Sequence, residues 1–197
     1  LLLVAGIVHL GTGPGPGFGA LLPALTGGLD PWDACILGRI RLPRLVVAAF
    51  AGAALALAGA TMQATFRNPL ASPDVIGTSA GAAFGGALAI VTRLCDLGIL
   101  AVPVASFLCA LGVTGLVFAL ASSHGRFSVA GLLLAGIALN TLFGALTSFV
   151  VTFTYSSYQA SSDVLFWLMG GLERSTWSSS SITAGGFVLF GALIAPR

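Results

Sequence analysis

The sequence predicts an all-α protein, a polytopic bundle of membrane helices forming one domain over residues 1–197. Three observations support this. The chain is 57% hydrophobic and 7% charged, whereas soluble domains carry roughly 25% charged residues. Several apolar runs approach or exceed the ~20 residues that cross a bilayer as a helix. Its 27 glycines and many alanines suit helix contact in lipid, where small residues let backbones approach. A membrane β-barrel would instead show short alternating segments. The net charge of +2 is too small to point to a nucleic-acid partner.

Six spans are expected. Residues 1–10, LLLVAGIVHL, read as the tail of a first span, and the chain reads as cut at both ends. Gly and Pro punctuate residues 11–43 too often for a spanning helix. That segment is expected to connect, with short amphipathic turns near 19–26 and 31–39 and Trp32 at the headgroup level. The second span covers 44–64, and an elbow at 65–74 follows where Arg67, Asn68 and Pro69 interrupt the apolar run. The third span covers 75–92, the fourth 99–121 and the fifth 129–152, joined by the turns RLCDLG and SSHGRFS. The Ser/Thr-rich segment 153–180 holds one apolar stretch, VLFWLMGGL (164–172), read as a half-helix at the interface. The sixth span covers 181–195.

No Asp, Glu or Arg falls in the middle of a span. Ionisable residues inside membranes mark proton relays and ion sites. Their absence argues against proton-coupled transport, although sodium sites built from carbonyls escape this test. Gly77, Gly81, Gly85 and Ala89 recur every four residues and share a helix face. They mark either a static packing seam or a helix that rocks against its neighbour. Gly52, Ala56 and Ala60 make a similar, weaker face.

On the fifth span, Gly136, Asn140, Gly144, Ser148 and Thr152 form a small polar stripe, with Thr141 and Thr147 nearby. Such a stripe must find partners or water. It is either the wall of a water-filled path for a large polar solute or a set of interhelical hydrogen bonds, with Asn140 on a neighbour's carbonyl. Arg41 and Arg44 stand at a helix start, where the dipole does not favour them. They either snorkel to the headgroups or dock an acidic partner outside the membrane. Cys35, Cys95 and Cys109 lack C-x-x-C spacing and a histidine pair. No metal site and no cofactor are therefore expected. The cysteines read as ordinary small residues, with a Cys35–Cys95 disulfide the minor reading, and His9 and His124 receive no ligand role.

The run RLPR (41–44) followed by AGAALALAGATMQATFRNPLASPDVIGTSAGA (51–82) resembles the signature of the FecCD/BtuC-type permeases. LLLAGIALN (132–140) and LFWLMGGLERSTW (165–177) agree more weakly. That family comprises membrane subunits of bacterial type II ABC importers for ferric siderophores, haem and vitamin B12. The resemblance implies a fold of about ten spans, of which this chain would hold six. It implies no catalytic residue, since ATP hydrolysis belongs to a separate chain. The implied partners are a second permease copy or paralogue, two cytoplasmic ATPase subunits, an extracytoplasmic substrate-binding protein, a metal-chelate substrate and lipid of the bacterial inner membrane.

Basic residues alone leave the orientation open. With the elbow inside, three arginines (Arg67, Arg126, Arg197) face five (Arg39, Arg41, Arg44, Arg93, Arg174) outside, against the positive-inside rule. The resemblance puts 65–74 and 122–128 in the cytoplasm. It then implies binding-protein docking at Arg41 and Arg44, and a cytoplasmic gate at Asn68, Pro69 and Leu70 with Ser128 and Val129. The stripe from Gly136 to Thr152 would line the central path. RNPLASPD (67–74) is closer to the siderophore branch, so a ferric siderophore is the expected cargo and haem or cobalamin the alternative. A secondary transporter or channel not driven by ATP is the alternative of a different class.

Overall fold

The computed structural model describes residues 2–12, 15, 17–20, 23, 26–122, 128–154 and 158–194. Among these residues the fold is helical, without strands. The helices are α1 (Leu2–Gly11), α2 (Pro31–Phe66), α3 (Thr78–Val91), α4 (Ala101–Ala121), α5 (Val129–Phe153), α6 (Tyr158–Leu168) and α7 (Trp177–Ile194). By length and composition α2, α4 and α5 can cross a membrane, and α3 is apolar but shorter. His124, Arg126 and Arg197 lie outside the described residues, as does most of the 122–128 turn. Two compact units form: Leu1–Leu57 with Leu172–Arg197, and Ala58–Gly171.

In the first unit, α2 departs from the expectation of a span starting at residue 44. It begins at Pro31, and residues 31–39 are its opening turns rather than a separate interfacial piece. The π-helical turn Leu37–Arg41 explains how the helix passes Pro43. A proline inside an α-helix lacks its N–H and its ring meets the carbonyl four residues back. Here the Leu42 N–H bonds the Leu37 carbonyl, a wider loop that relieves the crowding. The Gly38 carbonyl is thereby left to other donors and accepts the Trp177 indole N–H at 2.9 Å. The Ser180 hydroxyl, buried, donates to the Pro43 carbonyl at 3.1 Å. These two bonds from the start of α7 complete the irregular turn. Phe50 and Phe187 add a tilted ring pair at 5.7 Å.

In the second unit, α3 packs on α4 through the glycine ladder. A methyl group on Gly81 would lie 2.9 Å from Val113 and 3.0 Å from the Ala110 Cα. One on Gly85 would lie 2.7 Å from both the Ala105 carbonyl oxygen and the Cys109 Cβ. Ala87 and Ala89 are fully buried. The ladder is therefore a close packing seam. On its other side Gly86 admits Trp167 of α6, whose ring occupies the space a methyl group would need. The weaker face of α2 differs, since a methyl group at Gly52 would meet nothing within 4 Å.

The stretch read as a half-helix at 164–172 is instead the end of α6, which starts at Tyr158 and closes at Leu168. Gly170, at φ 68°, terminates it, the left-handed conformation glycine supplies at helix ends. The polar residues Ser161, Ser162 and Asp163 are helical and half-buried, and their composition alone suggested a loop. Similarly, α3 starts at Thr78 rather than 75, because a short 3-10 turn, Pro73–Ile76, precedes it. The thiols of Cys35, Cys95 and Cys109 are free.

Candidate functional site

The elbow between α2 and α3 is built almost residue by residue from local rules. The Arg67 N–H donates to the Ala64 carbonyl at 3.3 Å and the Asn68 N–H to that of Gln63 at 3.1 Å. This is the paired closure of a Schellman motif, which needs a left-handed residue. Arg67 takes that place at φ 48°. A non-glycine there costs on the order of 1 kcal/mol. Its positive charge at the helix C-terminus returns about 0.3–1 kcal/mol.

The tip follows. The Asn68 side-chain oxygen accepts the Leu70 N–H at 3.0 Å, and the Ala71 N–H donates to the Asn68 carbonyl at 3.1 Å. Pro69 occupies the second position of this turn, for which its fixed φ is suited. Ser72 caps the next turn, accepting the Asp74 N–H at 3.2 Å, with Pro73 at the first helical position. Ser79 donates to the Asp74 carboxylate. Thr78 donates to the Pro73 carbonyl at 2.7 Å. Gly77 is left-handed at φ 82° and starts α3. The elbow is thus held by its own hydrogen bonds, and Leu70 projects from it at 86% exposed.

Beneath the tip, Ile76, Val117, Ala121 and Leu132 form a buried cluster with Met62, Phe66, Ala135 and Leu139 packed against it. A small hollow of about 50 Å³ opens beside it, lined by Leu70, Ala71 and Val75 on the elbow and Leu132 and Leu133 on α5, with Met62 and Phe66. Ser128 caps α5, accepting the Gly131 N–H at 3.2 Å. Val129, next to it, is half exposed. The structure therefore brings the elbow to the first turns of α5.

The polar stripe on α5 divides in two. The Asn140 amide donates to the Asp74 carbonyl at 2.7 Å, which is the interhelical hydrogen-bonding alternative for this residue. Gly136 is buried, and a methyl group on it would overlap the Val75 carbonyl oxygen. Both residues therefore seat the elbow. Beyond them Gly144, Ser148 and Thr152 are exposed. The Ser148 hydroxyl donates to the Gly144 carbonyl at 3.0 Å, and that of Thr152 to Ser148 at 2.8 Å. These bonds satisfy the hydroxyls within α5 and leave acceptor lone pairs outward.

The two arginines also separate. Arg41 is 5% exposed, and its guanidinium donates to the Leu10 carbonyl. It ties α1 to α2, so an outward docking role would require withdrawing it from that contact. Arg44 is half-buried and donates to the carbonyls of Leu172 at 3.2 Å and Glu173 at 3.3 Å. Sequence reasoning missed Asp74, Ser79 and Trp167. The run S-P-D was a legible signal for the first of these, because it is a capping serine followed by proline at the first helical position.

These features define a multi-pass helical membrane protein with a hydrogen-bonded elbow seated on a neighbouring helix. The sequence pattern of the FecCD transport family matches residues 1–196, and the chain belongs to that family. The cobalamin import permease BtuC of Halobacterium salinarum is 40% identical over 174 residues, covering 79% of this chain and 46% of that protein. The molybdate import permease MolB of Haemophilus influenzae is 34% identical, covering 90% and 53%. The ferric dicitrate permease FecD of Escherichia coli is 35% identical, covering 93% and 54%. The chain thus spans about half the length of these relatives. A solved metal-chelate type ABC transporter in an inward-facing conformation matches with TM-score 0.77 and 30% identity, over 98% of this chain and 58% of that one.

Proposed function

We propose that the chain is part of the permease subunit of an ATP-driven importer of the inner membrane, with a ferric siderophore as cargo. The observation that carries this reading is the family match over residues 1–196. In it the elbow tip, Asn68 to Leu70, gates the cytoplasmic side together with Ser128 and Val129. Gly144, Ser148 and Thr152 line the path. A second permease copy or paralogue completes that path, two ATPase subunits drive it, and an extracytoplasmic binding protein delivers the cargo. The rigid elbow supports a gate that moves as a packed unit, as alternating access requires. The run RNPLASPD (67–74) favours a siderophore, whereas 40% identity to a cobalamin permease favours cobalamin.

The test reconstitutes the full-length protein with its ATPase and binding protein and compares uptake of a ferric siderophore, cobalamin, haemin and molybdate. ATP-dependent uptake of the siderophore is expected. Uptake of cobalamin alone would reverse the cargo assignment, and no ATP-dependent uptake of any of them would overturn the importer reading.

Docking is assigned here to Arg44, the more accessible arginine. Arg44→Glu should weaken binding-protein affinity about tenfold through charge repulsion at the rim of the contact. The difference should shrink as salt rises and screens it. Arg41→Met should leave docking unchanged and instead lower thermal stability. Titration of the binding protein against permease in nanodiscs reads the first effect, and a melting curve the second.

A further inference from the structure

The geometry points to Asn140 as a positioning residue that makes the turn Ser72–Gly77 and helix α5 a single moving body when the path gates, an inference that rests on the gating reading above. The elbow is covalently continuous with α2 on one side and α3 on the other, so sequence alone would let it follow either. Its end packs on α4, where Ile76 meets Val117 and Ala121, and its long-range polar tie goes to α5. The Asn140 amide reaches the Asp74 carbonyl at 2.7 Å across 66 residues of sequence. That carbonyl also accepts the Gly77 N–H at 3.2 Å, so one oxygen joins the end of the turn to α5. One helical turn earlier, Gly136 brings the α5 backbone against the Val75 carbonyl, with no room for a side chain. Ile76 and Leu132 close the same contact from the buried cluster. A polar tie and an apolar seat, four residues apart on one face, resist both sliding and rotation.

The internal bonds of the turn complete the device. Ser72, Asp74, Thr78 and Ser79 fix its shape. A force on α5 is therefore delivered to the Leu70 tip rather than absorbed within the loop. Beyond Asn140 the stripe makes no such contact, since a methyl group on Gly144 would meet nothing within 4 Å. The direct contacts between the stripe and the elbow thus lie at Gly136 and Asn140.

The experiment uses the full-length permease assembled with its ATPase, with Cys35, Cys95 and Cys109 replaced by Ala. Spin labels are placed at Ala71→Cys on the elbow and Leu134→Cys on the exposed face of α5. Doubly labelled permease, diluted with unlabelled copies, reports the distance within one copy. Permease labelled at position 71 alone reports the distance between copies. The expected result is that the distance between copies changes between nucleotide-free and ATP-trapped states, while the distance within a copy holds to about 2 Å, as rigid-body motion requires. A change within the copy as large as that between copies would overturn the single-body inference. A distance between copies that ignores nucleotide would instead overturn the gating reading beneath it.

Asn140→Leu should broaden the distribution within the copy. It should lower cargo moved per ATP hydrolysed about tenfold, with the ATPase still bound, and Asn140→Gln, which keeps the amide donor, should restore much of the coupling. An Asn140→Leu protein that transports as many molecules per ATP as its parent would overturn the role assigned to Asn140.

Discussion

Replacing Gly136 by leucine is expected to cost the permease about 3 kcal/mol of stability, while Gly144→Leu, about two helical turns along the same stripe, leaves stability unchanged. At Gly136 the first side-chain carbon would overlap the Val75 carbonyl oxygen. That oxygen belongs to a turn closed by its own hydrogen bonds, so it cannot rotate away as a flexible side chain would. Overpacking a close contact costs about 1–3 kcal/mol and occasionally more, and a clash with fixed backbone belongs at the upper end. In a full-length protein about twice this size that corresponds to a fall in melting temperature of several degrees. At Gly144 nothing lies within 4 Å, and a surface change of that kind stays within about 0.5 kcal/mol. Melting curves of the purified full-length variants in detergent read both effects. Under the path-lining reading, Gly144→Leu should also slow transport without loss of stability, which separates path from seat along one helix. Equal melting temperatures for the two variants would contradict the packing at Gly136.

The second large effect is expected at Gly85→Ala, a change of one methyl group. The added carbon would stand 2.7 Å from the Ala105 carbonyl oxygen and from the Cys109 Cβ. Small residues at such seams let helices gain van der Waals contact, which holds membrane helices together in the absence of a hydrophobic drive. Pushing α3 and α4 apart should therefore cost about 1–3 kcal/mol. Gly115→Ala on α4, where an added methyl group meets nothing within 4 Å, should cost little. Because Cys109 supplies two of the three crowding atoms, the pair Gly85→Ala with Cys109→Gly should recover part of the loss. Such non-additivity is expected of residues in direct contact. A double-mutant cycle on melting temperature measures it, and strictly additive losses would contradict the seam as described.

Helix α4 and helix α5 lie within two residues of the spans read from hydropathy, because each is a long apolar run bounded by polar turns. The start of α2 was not legible. Pro43 carries the normal signal of a helix boundary, and nothing in the local sequence announced the π-helical turn that lets the helix pass it. The glycine ladder was visible as a face, but its partners on α4 were not, since spacing names a surface and not the helix that covers it. Asn140 is the sharpest case. Its type and position left open a water-lined path or a neighbour's carbonyl, and the deciding partner, Asp74, lies 66 residues away. Arg41 and Arg44, three residues apart and chemically identical, have different fates because only Arg41 comes within reach of the carbonyl ending α1.

The elbow that interrupts the apolar run at Arg67–Pro69 is thus a closed, self-bonded unit seated on α5. Its proposed role as the inner gate of an ATP-driven path depends above all on the source of energy. The most direct test is cargo uptake by the full-length protein with its ATPase and binding protein in sealed vesicles, with ATP and ion gradients varied separately. The expected result is accumulation that requires ATP and persists when ionophores collapse every ion gradient. Accumulation that follows an ion gradient in the absence of ATP would contradict it.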